Sequence, residues 1–148
     1  MKKFVLTLAI LCSVVLGANA QEATKCKLTG TVGNKQITMY LDLPFPEEGG
    51  YKMGVYSFDS KPDAGIVLYA DYIESFPEDS KGFMLNVYEH TSNGRIAGSF
   101  SGVLEWNEEG MVEYYGLYYT KDRKEIEFEL ISNVPMDFAA FLPASSEE

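Results

Sequence analysis

The stretch EYYGLYYTK, residues 113–121, sets four tyrosines in two doublets around one glycine and one leucine. Tyrosine combines a rigid ring with a hydroxyl, which suits it to apolar ligands, sugars and protein surfaces. In an extended strand Tyr115, Leu117 and Tyr119 share one face, while Tyr114, Gly116 and Tyr118 share the other. Both faces are therefore aromatic. If one of them is solvated, two or three tyrosines stand outside unless another element or a partner covers them. The alternative is cross-strand packing over the bare Gly116, with each aromatic pair contributing on the order of 0.2–1 kcal/mol. Tyr40, Tyr51, Tyr56, Tyr69, Tyr72 and Tyr88 are spread through the rest of the chain, which favours a structural share. A tyrosine hydroxyl buried without a partner is nevertheless costly, so some of the ten should line a cavity mouth or a contact surface.

Other chemistries have weaker support. GSFSG at 98–102 places Phe100 where a nucleophile elbow requires serine, and it lies within a strand pattern rather than a strand-to-helix turn. His90 is the single histidine, which removes any histidine-pair metal site and leaves one general base with no nucleophile set against it, Ser92, Ser99 and Ser101 being unplaced. DSKPD at 59–63 has lysine and proline where a calcium loop needs ligands. No metal ligand, catalytic residue or cofactor is assigned. Glu89, Glu105 and Glu113 fall on neighbouring expected strands, with Trp106 and Tyr114 close enough in sequence to stack a sugar. Glycoside hydrolysis would require two of these carboxylates about 5–9.5 Å apart. Among 22 acidic residues some will be neighbours by chance, so a glycosidase is the least favoured class.

The N-terminus resembles an export signal. Lys2 and Lys3 form a positive start, Phe4 to Leu16 an apolar core, and Ala18-Asn19-Ala20 a small-x-small exit, which predicts removal of residues 1–20 between Ala20 and Gln21. Thr7, Ser13 and Gly17 interrupt the run, which falls short of the roughly 20 apolar residues of a spanning helix. Cys12 follows Leu11 inside the apolar core, a context that argues against lipidation. Residues 21–148 then make one domain of secreted or periplasmic location, with no further membrane span expected. With Lys2 and Lys3 gone, ten basic residues face 22 acidic ones, a net charge of −12. Such a chain repels phosphate backbones and anionic lipid surfaces, which argues against nucleic acid as a partner. Cys26 remains alone in KCKLTGTV, either buried in alternation with Leu28 and Val32 or available for an interchain bridge.

The elements that must position these residues follow a period of two. Strands are expected at Lys25–Val32, Lys35–Leu43, Tyr51–Phe58, Gly65–Ile73, Gly82–Thr91, Arg95–Trp106, Val112–Lys121 and Lys124–Ile131. Short hairpin loops join most of them: GN at 33–34, SNG at 92–94, NEEG at 107–110 and DR at 122–123. Connections this short suit an antiparallel meander, because parallel strands need longer crossovers. In KEIEFEL, Ile126, Phe128 and Leu130 oppose Glu125, Glu127 and Glu129, giving one solvated face. Interior glycines at 30, 54, 98, 102 and 116 point to a strongly curled sheet. The expected fold is all-β, a meander of about eight strands in a closed or nearly closed barrel, with an open clam or sandwich as the alternative. Met136, Phe138, Phe141 and Leu142 in the tail form either a short helical turn or a last strand closing one end.

Through LTGTVGNKQITMYLDL, RIAGSFSGVLEW and YYGLYYTKDRKEIEFEL the chain resembles the calycin-like barrels of lipocalin and avidin type, and small secreted bacterial proteins with G-x-F-x-G-x-L strands. The resemblance lies in strand rhythm over nearly all of 21–148. It implies a barrel holding a small apolar molecule or cofactor, and it carries over no binding residue. The leading expectation is a non-enzymatic binding protein for a small apolar molecule or glycan, with Phe100, Trp106, Tyr114 and Tyr118 as its lining. The alternative is a protein-interaction module or inhibitor that uses Tyr115, Tyr119 and Cys26 to meet a partner or a second copy. A hollow barrel would favour the first, and a filled barrel with exposed aromatic residues the second.

Overall fold

The computed structural model describes residues 24–76, 81–90 and 96–143; the expected signal segment and its cleavage position lie outside the described residues. Eight strands run in chain order: β1 Thr24–Val32, β2 Lys35–Leu43, β3 Lys52–Phe58, β4 Ile66–Ser75, β5 Gly82–His90, β6 Ile96–Trp106, β7 Val112–Tyr119 and β8 Glu125–Ser132. Each pairs antiparallel with the next, and β8 returns to β1 through pairs such as Gly30 with Leu130, so the barrel is closed rather than clam-like.

All eight expected strands form, and the differences lie at their ends. β4 continues to Ser75 because its pairing with β5 extends to Ser75 opposite Phe83. β7 stops at Tyr119 instead of Lys121. There the Thr120 hydroxyl accepts from the Asp122 and Lys124 backbone N–H groups at 3.2 and 3.0 Å, which builds a turn before the strand can continue. The expected ends at Thr91 and Arg95 lie outside the described residues.

Alternation sorts the side chains. Cys26 and Leu28 in β1, Ile37, Met39 and Leu41 in β2, and Phe128 and Leu130 in β8 point inward, while Glu125, Glu127 and Glu129 stand outside. Curvature tight enough to close the sheet needs close backbone approach, and Gly102 and Gly116 provide it. They are register partners, and a Cβ on either would overlap the backbone of the other's strand.

Side chains fill the lumen, as expected for a small eight-stranded barrel. The Phe100 ring lies 5.1 Å from Tyr56 of β3, 4.7 Å from Tyr118 of β7 and 5.1 Å from Phe128 of β8, so rings from four strands meet across the interior. Tyr114 packs on Phe128 at 4.9 Å, and its hydroxyl donates to the Leu85 carbonyl at 2.9 Å.

The tail closes one end as a helical turn, not as a strand. A 3-10 turn at Phe138–Phe141 is capped by Asp137, whose carboxylate accepts from the Ala139 N–H at 3.2 Å. Phe141 is buried edge-on against Phe45 and Trp106, and the half-buried Phe138 lies edge-on to Trp106. Two bonds hold the plug in place: the Trp106 indole N–H donates to the Met136 carbonyl at 2.8 Å, and the Phe45 N–H to the Phe141 carbonyl at 3.1 Å. Leu142 stays exposed.

Candidate functional site

The end opposite the plug holds a buried charge among apolar neighbours such as Phe58 and Ile126. Continuing the inward series Phe83, Leu85 and Val87, β5 turns Glu89 into the barrel mouth, where it is 9% exposed and is the one buried charged side chain among the described residues. Tyr56 donates to Glu89 Oε2 at 2.6 Å and Tyr118 donates to the same oxygen at 2.8 Å. Gly98 makes this possible. It is the register partner of Glu89 on β6, and a Cβ there would overlap the Tyr118 hydroxyl and lie 3.1 Å from Glu89 Oε2. The bare position lets the Tyr118 ring cross from β7 to β5.

The result is a hydrogen-bonded bridge joining β3, β5 and β7. Burial, reinforced by donation to Glu89 and by its charge, pushes the Tyr118 hydroxyl up to about 12. Tyr56 is pushed higher, by burial first and then by the charge of Glu89 and the bond to it. Both hydroxyls stay protonated at neutral pH and act as fixed donors, so neither can serve as a base or nucleophile.

The residues considered for acid–base chemistry do not converge. Glu105 and Glu113, paired across β6 and β7, face outward. Glu105 accepts from Tyr115 at 2.8 Å and Glu113 from the Asn107 amide at 3.0 Å, whereas Glu89 lies inside the barrel. His90 is exposed on the outer wall against Tyr69 and Tyr88, with ring centroids 4.8 and 5.1 Å away. Among the described residues no three His, Cys, Asp or Glu side chains come together to hold a metal.

The four residues expected to line a ligand cavity are divided between packing roles. Phe100 and Tyr114 are fully buried in the filled lumen, Tyr118 reaches the mouth, and Trp106 lies under the plug at the other end. Cys26 has no exposed surface and burial pushes its thiol up to about 12, so the folded barrel does not offer it for an interchain bridge. Tyr115 and Tyr119 face outward. Tyr115 is 37% exposed, and its hydroxyl is shifted up chiefly by the bond to Glu105.

Outside the barrel, two grooves flank β7. One of about 370 Å³ lies between β7, β8 and β1, with Tyr115, Ile131, Glu113 and Glu129 on its walls. The other, about 480 Å³, is bounded by Ala97, Gly98 and Ser99 of β6 and by Tyr119, Thr120, Lys121 and Arg123. Farther round the wall Tyr69 stacks on Tyr88 at 5.8 Å, and Tyr72 is exposed with its hydroxyl donated to Glu74.

The sequence singles out Glu89 only as one of three carboxylates on neighbouring strands and does not pair it with Tyr56 or Tyr118. The run of alternate apolar residues before Glu89 signals its inward direction, but nothing local marks Tyr56, which is 33 residues away. The chain matches no protein-family model, no curated protein and no solved structure, so geometry alone describes the site.

Proposed function

We propose that this chain is an exported, non-enzymatic binding module that meets its partner with the outer wall of a filled barrel. The observation that carries this reading is the ring cluster of Phe100, Tyr56, Tyr118 and Phe128, which occupies the space a carried molecule would need. Aromatic contact area remains outside, at Tyr115, Tyr119, Tyr69, Tyr72 and Tyr88. The separation of Glu89, His90 and the outward pair Glu105 and Glu113 supports a non-enzymatic role. Export rests on the pattern of residues 1–20. Apolar residues inside and glutamates outside are the reverse of a membrane-spanning barrel, which supports action in aqueous surroundings.

A small hydroxylated ligand such as a glycan end, bound at the mouth beside Glu89, is the second reading. It is favoured by the Tyr56–Glu89–Tyr118 bridge. Native mass spectrometry of the protein isolated from its own compartment, with and without reductant, separates the two. The outer-wall reading predicts no tightly held small adduct and a complex, where one survives, that reductant does not dissolve. An adduct of a few hundred daltons released only on denaturation would place the ligand inside and overturn it.

A further inference from the structure

The larger outer groove has an unusual lining for so acidic a protein. Its two charged residues are both cations, Lys121 and Arg123, although the whole chain carries 22 acidic residues against 12 basic ones. Ala97, Gly98 and the hydroxyl-bearing Ser99, Tyr119 and Thr120 complete the wall, so the groove combines positive charge, hydroxyl hydrogen-bonding groups and an aromatic ring within about 480 Å³, and it reaches the mouth residue Gly98. That volume lies in the range of sites for small organic molecules.

The turn that carries the cations is built at a cost. Arg123 has φ of 66°, the left-handed conformation that glycine or asparagine normally fills in such turns. It is held there by its N–H donating to the Thr120 carbonyl at 2.8 Å and by the Thr120 hydroxyl accepting from both Asp122 and Lys124. An arginine at a glycine position sacrifices backbone ease for a side chain, and that side chain borders the groove.

We propose that this groove binds a small anionic sugar, with its carboxylate or phosphate between Lys121 and Arg123 and its ring against Tyr119. Arginine recognises planar carboxylate and tetrahedral phosphate through paired N–H donors, and lysine adds a point charge. The ligand is small for an electrostatic reason. Charges beyond about 8 Å are screened at physiological ionic strength, so one anionic group responds to the charges of this turn, in which Lys121 and Arg123 outnumber Asp122. A polyanion would extend over the outward Glu125, Glu127 and Glu129 of β8 and be repelled. The inference rests on the outer-wall reading and specifies one ligand class for it.

The test is an NMR titration of the full mature chain with glucuronate, glucose 6-phosphate and glucose. It is repeated on Arg123→Gly and Lys121→Gln. Arg123→Gly removes the cation while relieving the left-handed backbone, so it should melt no lower than wild type. The expected result is that at least one of the two anionic sugars binds, with shifts confined to 97–99 and 119–123. Glucose should leave the spectrum unchanged, and affinity should fall about tenfold or more in each variant. The two anions separate uronate from sugar phosphate as the preferred source. Absence of binding by both anions, equal binding of glucose, or affinity unchanged in Arg123→Gly would overturn the proposal. Shifts centred on Tyr56 and Tyr118 would overturn the outer-wall reading as well, whereas a silent titration beside a partner complex in native mass spectrometry would remove only the anionic ligand.

Discussion

Tyr114 and Tyr115 are adjacent in the chain and belong to different regions of the molecule. The inner face of β7 places Tyr114 and Tyr118 in the packed lumen and at the mouth, with hydroxyls committed to the Leu85 carbonyl and to Glu89. The outer face places Tyr115 and Tyr119 along the two grooves, where their rings meet solvent. One residue type thus serves as core on one side of a strand and as contact surface on the other. What divides the roles is the two-residue period of the strand, together with Gly98, whose missing side chain leaves Tyr118 its room, and Gly102 and Gly116, which let the backbones of β6 and β7 approach closely.

The inner face should dominate stability. Phe100→Ala removes the ring that touches three others across the lumen and should cost about 3–5 kcal/mol in denaturant unfolding. A loss below about 1 kcal/mol would mean that the lumen is not packed as described, and the contrast with the outer face would fail. Tyr56→Phe takes one donor from a buried carboxylate and should cost about 1.5–3 kcal/mol by the same measurement.

Tyr118 adds a pH signature. An ordinary tyrosine ionises at 10.0, and this one at about 12, so its protonated hydroxyl contributes stability that is complete below pH 10. That contribution is lost as the pH rises through 12. Melting temperature should therefore fall between pH 10 and 12, and less steeply in Tyr118→Phe; equal slopes in the two proteins would detach the hydroxyl from the fold.

The smallest effects sharpen the comparison within the doublet. Tyr114→Phe removes a buried donor and should cost about 1 kcal/mol. Tyr115→Phe loses only an exposed bond to Glu105 and should stay within about 0.5 kcal/mol of wild type. Comparable losses at the two positions would show that the outer face, too, is structural.

Much of this division was legible in the sequence. Alternation in KEIEFEL and RIAGSFSGVLEW located the strands, and short loops joined them into a meander, because both signals are local. The same alternation separated the two faces of β7 without saying which was inner, since both are aromatic. Filling of the lumen was not legible. It depends on rings from β3, β6, β7 and β8 meeting at one level, and register between distant strands leaves no mark in either. Gly98 reads as a bend or bulge, and the register does shift beside it between Glu89 and His90, but its further role in letting Tyr118 reach Glu89 left no local mark. The tail admitted a turn or a strand because its aromatic spacing fits both, and Asp137 at the cap decides for the turn.

Hydroxyl-radical footprinting of the free protein, read residue by residue in β6 and β7, tests the filled barrel and its outer contact face most directly. The structure predicts rapid modification of Tyr115 and slower modification of Tyr119, with Phe100 and Tyr114 protected until the protein unfolds. Modification of Phe100 or Tyr114 in the native state, suppressed when the protein is purified with a bound small molecule, would show a hollow barrel and contradict the account.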